Sequence, residues 1–207
     1  MKDNETTMWG ADFTDEDNYI AYVAYGSNMC EERFFKYLLG GKLEFIDSEG
    51  NYQSRSYIGC KNKELPIEQY RCKIPYKRFF AKSSSIWDNK GVAFLDPRES
   101  KSGDETMCRV YIIEISQLSD IADQEGSWYN RIQEIGTVGD YRAFTITSSK
   151  KEEELAAEHN IPSQRYLNVI AKGEKECEML EEIEFDGGVA CYDGETGEKC
   201  WMCKEYR

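Results

Sequence analysis

The chain predicts an α+β fold, with helices set among mostly antiparallel strands, and three features carry that expectation. Several stretches of strand length are dense in β-branched and aromatic residues, notably 19–25 (YIAYVAY), 106–116 (TMCRVYIIEIS) and 141–149 (YRAFTITSS). Others carry apolar residues at helical spacing, as in 29–41 and 163–180. A chain of 207 residues, 40% apolar and 13% aromatic, can bury the core of one domain.

The elements follow in order. Residues 1–18 read as a flexible leader. Residues 19–25 form a buried strand that breaks at Gly26-Ser27-Asn28. Asn28 followed by Glu31 matches a capping box and puts a helix start at Asn28. Phe34, Phe35, Leu38 and Leu39 give that helix its apolar face, and Gly40-Gly41 ends it. Residues 42–75 mix turn signals with short apolar pieces and give no clear element. Residues 77–97 read as two short strands around a loop, and 106–116 as a strand. Residues 117–126 (QLSDIADQEG) read as a short helix ended by Gly126, and 127–140 as a further helical piece. A strand at 141–149 precedes a charged surface helix or helical lid at 150–160 and a helix capped at Ser163. The tail past residue 182 reads as a hairpin extension turning at Asp193-Gly194 or Thr196-Gly197.

Charge excludes some functions. The net charge is −13 and the isoelectric point about 4.7, so a nucleic-acid partner, which needs a basic face, is not expected. No apolar run approaches membrane-spanning length and the start lacks a signal-peptide core, so a cytoplasmic protein without a membrane role is expected. Its eight cysteines are scattered and are expected to be reduced. Cys191, Cys200 and Cys203 invite a zinc reading, but a fourth ligand would have to come from Cys177 or His159, so no metal is expected. Oligomeric state cannot be read from the sequence.

The break at Gly26 is the candidate site. The first amides of a helix lack internal partners and carry positive potential. Glycine lets a ligand approach the backbone, and Ser27 and Asn28 add side-chain donors. That arrangement suits a small carboxylate or phosphate. Taken alone, the motif reads more readily as a tight turn at Gly26 with Asn28 capping the helix. Strand alternation puts Tyr22 and Tyr25 on opposite faces.

Four segments together resemble the γ-glutamylcyclotransferase family, also grouped as AIG2-like. YVAYGSNM (residues 22–29) resembles its opening motif. LSDIADQEG (residues 118–126) resembles the segment whose glutamate, here Glu125, is the family's acid/base. SSIWDNKGVAF (residues 84–94) is similar to its Trp-Gly-Gly-Ile-Ala stretch, with one extra residue and with Lys90 where glycine is usual. PSQRYLNVIAKG (residues 162–173) is similar to its tyrosine-bearing helix, with Tyr166 on the substrate-contacting position. The resemblance runs from residue 19 to 173, and the domain is drawn as 19–182. It implies a small mixed β-barrel flanked by helices. It implies that a γ-glutamyl amide is cleaved when its own α-amine attacks the γ-carbonyl, releasing 5-oxoproline and an amine. Tyr22, Val23, Ala24, Tyr25, Gly26, Ser27, Asn28 and Tyr166 would bind the substrate and Glu125 would move the protons, with no cofactor. The alternative is a non-catalytic module on the same fold that holds a carboxylate or an amino acid at Gly26.

Overall fold

Strand β1 (Tyr19–Ala24) is apolar and buried on both faces, and such a strand belongs inside a sheet. The computed structural model describes residues 18–100, 103–187, 190–192 and 199–201. After β1 come α1 (Glu31–Leu39), the hairpin β2 (Gly41–Ile46) and β3 (Tyr52–Tyr57), then β4 (Glu68–Ile74), β5 (Tyr76–Ser84) and β6 (Lys90–Glu99). There follow β7 (Thr106–Glu114), α2 (Ile115–Gln124), β8 (Arg131–Val138), β9 (Tyr141–Thr147), α3 (Gln164–Cys177) and β10 (Phe185–Asp186). A last pair is β11 (Ala190–Tyr192) with β12 (Lys199–Trp201).

The main sheet has six strands in the order β10-β8-β9-β1-β7-β4. Only the central β1–β9 pair is parallel, so the sheet is mixed. Its two edges come close to meeting. Arg71 on β4 exchanges backbone hydrogen bonds of 3.0 Å with Glu181 and Ile183, the segment that leads into β10. The sheet is thereby curled into a small, nearly closed barrel. Its interior holds Ala21, Val23, Ile74, Val110, Ile112 and Ile135, joined by Phe79 and Phe94 of the β5–β6 ribbon and by Tyr166 and Ile170 of α3. The outer face of β1, with Ile20, Tyr22 and Ala24, is covered by Phe34 and Leu38 of α1 and by Leu118 and Ile121 of α2. Among the described residues no helix is long and apolar enough to cross a membrane.

Several local expectations need correction. Residues 131–138, read as helical, form β8, which pairs with β9 across a bulge between Glu134 and Gly136. The charged segment at 152–158 is a 3-10 helix, with Leu155 its buried anchor. The helix at 31 is not capped by Asn28. A 3-10 turn at Ser27–Met29 comes first, and the α1 cap position is Cys30. Residues 42–75 supply β2, β3 and β4. Phe185–Asp186 pair with Val138 and Thr137, so the main sheet continues past residue 182. The expected tail hairpin is present as the β11–β12 pairing, but its turn, Cys203 and the side chains of Cys191 and Cys200 lie outside the description, as does the leader up to residue 17.

Candidate active site

Three chain segments meet where β1 ends. The first is the turn that follows Ala24. At Gly26 an added Cβ would stand 3.2 Å from the Tyr166 hydroxyl and 3.4 Å from the Ala93 side chain, so a larger residue would crowd the turn. The amides of Ser27 and Asn28 open a helical turn and have no intrahelical acceptor. The second segment is the end of α2. Glu125 takes the C-cap position with extended backbone (φ −76°, ψ 164°), which lets its side chain leave the helix surface. The third is α3, whose Ser163 cap accepts from the Tyr166 amide at 3.2 Å and fixes the start of the helix.

Glu125 and the turn, 97 residues apart in sequence, touch directly. Asn28 Nδ2 donates to Glu125 Oε1 at 2.8 Å and lies 3.3 Å from the Tyr22 hydroxyl, while the Tyr37 hydroxyl donates to Oε2 at 3.1 Å. The cavity they enclose is about 330 Å³ including its open mouth, and it is lined by Tyr22, Tyr25, Gly26, Ser27, Asn28, Ala93, Glu125, Tyr129, Ile146 and Tyr166. Its phenols are pinned: Tyr25 donates to the Ile146 carbonyl at 2.9 Å, Tyr129 donates to the Ala93 carbonyl at 2.8 Å, and the Ala93 amide donates to Tyr166 at 3.1 Å. Burial raises the pKa of Tyr22, Tyr25, Tyr129 and Tyr166, and the Glu125 carboxylate adds to the effect at Tyr22. These hydroxyls therefore keep their protons at neutral pH. Asn28 Oδ1 is buried and has no hydrogen-bond partner, which leaves one acceptor beside the carboxylate.

Behind this wall lies Arg33, 4% exposed. Its guanidinium donates to Ser27 Oγ (3.0 Å), the Tyr57 hydroxyl (2.7 Å) and the Tyr37 hydroxyl (3.3 Å). Tyr37 thus links a buried cation to Glu125.

The structure brings Glu125, Tyr22, Tyr25, Gly26, Ser27, Asn28 and Tyr166 to one cavity. Tyr22 and Tyr25 do point to opposite faces of the sheet, Tyr25 to the interior cluster and Tyr22 to the outer one. Both reach the cavity because it lies across the end of β1, so no bulge is needed. Val23 and Ala24 need correction: alternation buries them in the two core clusters, and neither lines the cavity. The sequence reading missed Arg33, Tyr37 and Tyr129. Arg33 and Tyr37 sit four apart on α1 and could have been paired by helical spacing, but nothing local marks them as a link to a residue on α2.

No protein-family model matches the chain. A curated relative, Histone deacetylase 5 of Arabidopsis thaliana, is 25% identical over an alignment covering 81% of this chain, which spans about 29% of that relative's length. Among solved structures, a gamma-glutamyl cyclotransferase matches with a TM-score of 0.50 and 21% identity, over 83% of this chain and 94% of that one. The barrel-like sheet with its few helices is therefore the γ-glutamyl cyclotransferase fold.

Proposed function

We propose that this chain cleaves a γ-glutamyl amide by intramolecular cyclisation, releasing 5-oxoproline and an amine. The observation that carries the reading is the Glu125 carboxylate, held by Asn28 and Tyr37 in the cavity that the Gly26 turn opens. The substrate's α-carboxylate would lie on the amides of the turn. Its α-ammonium would face Glu125 and Asn28 Oδ1. Glu125 takes one proton from the ammonium. The freed nitrogen attacks the γ-carbonyl carbon and closes the five-membered ring. Glu125 returns that proton to the leaving nitrogen as its C–N bond breaks, then takes the second proton from the ring nitrogen, and this proton passes to the freed amine, which leaves as an ammonium. Because attack is intramolecular, the protein's task is to fold the chain and move protons. The Tyr22 hydroxyl is placed to steady the oxyanion at the γ-carbonyl. We place the enzyme in the cytoplasm, a reading that rests on the sequence.

The test is 5-oxoproline release from a panel of γ-glutamyl compounds by the native protein and by Glu125→Gln. The substitution keeps the size and removes the base. Turnover is expected to fall about 10²-fold or more, with binding of 5-oxoproline largely retained. Unchanged release would remove Glu125 from the mechanism. One observation favours the binding-module alternative: both oxygens of Glu125 already accept protein hydrogen bonds, as in a fixed structural carboxylate. Binding of 5-oxoproline with no turnover of any panel member would establish that reading.

A further inference from the structure

The β2–β3 hairpin lies outside the four family-like segments and forms a two-stranded sheet of its own. Its tip rests on the 84–94 segment, where the Ser48 amide donates to Asp88 at 3.1 Å. Its other end lies near the candidate site. Gln53, Arg55 and Tyr57 share one face of β3 by the two-residue period of a strand, and Gly59 follows just past the strand's end. That face has no aliphatic side chain to bury. Arg55, Tyr57 and Gly59 instead make polar contacts, and each contact leads to Glu125.

Arg55 acts on the backbone. The last carbonyls of a helix lack intrahelical donors and carry negative potential. One of them, the Gln124 carbonyl, accepts from Arg55 Nη2 at 3.2 Å. The next residue is Glu125, which turns to extended backbone there and leaves α2. The Arg55 guanidinium is itself set over the Tyr57 ring, 4.9 Å from its centre. Gly59 acts on the neighbouring side chain. Its amide donates to Gln124 Oε1 at 3.0 Å, and Gln124 Nε2 donates to the Tyr37 carbonyl at 3.0 Å. Only glycine permits that approach, because φ is +81° and an added Cβ would fall 2.6 Å from the Gly40 nitrogen. Tyr57 reaches the carboxylate in steps. Its hydroxyl accepts from Arg33 at 2.7 Å, Arg33 also donates to the Tyr37 hydroxyl, and Tyr37 donates to Glu125 Oε2. One end of the hairpin thus supports Glu125 twice, at the peptide before it and behind its carboxylate.

We propose that the β2–β3 hairpin is the positioning element of the acid/base, and that Arg55 is the positioning residue through which it sets where Glu125 leaves α2. The inference rests on the cyclisation reading above. Arg55 is not among the residues that line the Glu125 cavity, so it acts through Glu125 and not on the substrate. Proton transfer needs the carboxylate within hydrogen-bond reach of the moving proton. A small displacement of the Gln124–Glu125 peptide therefore slows the chemical step and leaves binding at the Gly26 turn in place.

The experiment measures kcat and KM for 5-oxoproline release, using the panel member that the native protein turns over fastest. The variants are Arg55→Met, Arg55→Lys, Tyr37→Phe and Arg55→Met combined with Tyr37→Phe. Enzyme is counted as binding sites from the stoichiometry of a 5-oxoproline titration, so protein that fails to fold does not enter kcat. Arg55→Met keeps an unbranched stem and removes the donors. Its kcat per site is expected to fall about tenfold, the worth of one hydrogen bond from a charged group, with KM hardly moved. Arg55→Lys can still donate to a carbonyl and is expected to recover most of that loss. Arg55 and Tyr37 act on one carboxylate, so the double variant is expected to lose less than the product of the two single losses. Native kcat per site in Arg55→Met, a raised KM at native kcat, a lysine variant no better than the methionine one, or losses that multiply in full overturns the inference and leaves the cyclisation reading standing. No 5-oxoproline from any panel member overturns both.

Discussion

Tyr37 shows at the scale of one residue how a core position becomes part of a site. On α1 it reads as one more member of the apolar stripe with Phe34 and Leu38, and its ring is fully buried beside Tyr57. Its hydroxyl, however, donates to Glu125 and accepts from Arg33. Burial, with Glu125 and its charge next in effect, raises the phenol pKa well above the usual range, so the proton stays available to the carboxylate. Tyr37→Phe removes that hydroxyl and keeps the ring. If Tyr37 positions the base without touching substrate, kcat should fall about tenfold, the worth of one hydrogen bond to a charged group at about 1.5 kcal/mol, and KM should hardly move. A rise in KM at constant kcat would place Tyr37 in substrate binding. Asn28 makes the complementary point about legibility. Its spacing to Glu31 fits a capping box, yet Glu31 instead pairs with Arg109 at 3.0 Å and Asn28 turns to Glu125. The pattern identified an important polar residue and misassigned its partner, because a cap is a local contact and the real partner is 97 residues away.

Among the elements, α3 positions the site most directly. Its Gly173 lies against the backbone of the first turn: an added Cβ would fall 2.5 Å from the Met29 carbonyl carbon and 2.6 Å from the Cys30 nitrogen. Neither is a flexible side-chain end, so the helix or the turn would have to shift. Gly173→Ala is expected to cost about 1–3 kcal/mol from overpacking, a fall in Tm of several degrees for a chain of this size. Because Met29 follows Asn28, kcat/KM should fall as well. Calorimetry and 5-oxoproline release together check this, and a variant with native Tm and native activity would show that the contact is slack. The elements that could be read from sequence were those with a buried stripe. β1, β7 and β9 alternate or are wholly apolar, and α3 has both a cap and a helical apolar face. The segment 42–75 could not be read, because β2 and β3 are mostly exposed and YQSRSY carries no core-facing alternation. Residues 131–138 read as helical because Ile132, Ile135 and Val138 are spaced by three, a spacing that the bulge between Glu134 and Gly136 allows in a strand, and only pairing with β9 decides it.

At the scale of the whole molecule, the described core holds many weak acids that are neutral when folded. Burial pushes the thiols of Cys60 and Cys72 up to about 12 and that of Cys177 to about 11, and holds Cys108 well above the ordinary thiol range. Burial also raises the phenols of Tyr22, Tyr25, Tyr37, Tyr111, Tyr129 and Tyr166. Each of these groups holds its proton more tightly in the native state than in the unfolded chain. Their contribution to stability is complete below the unfolded pKa and is lost as pH rises towards the native one. Unfolded thiols ionise from about pH 8.5 and unfolded phenols from about pH 10. Above pH 9 unfolding therefore releases protons, and each group lowers stability by about 1.4 kcal/mol per pH unit. The four thiols alone set a slope of about 5 kcal/mol per pH unit, comparable with the whole stability of a typical domain. The urea midpoint is accordingly expected to fall steeply between pH 8.5 and pH 10 in reducing buffer, and the six buried phenols are expected to ionise only with unfolding, whereas exposed Tyr52 is open to solvent in the folded protein. A midpoint unchanged across that interval, or ionisation of the six buried tyrosines in the folded protein near pH 10, would mean that these side chains are in contact with water and that the barrel core is not packed as described.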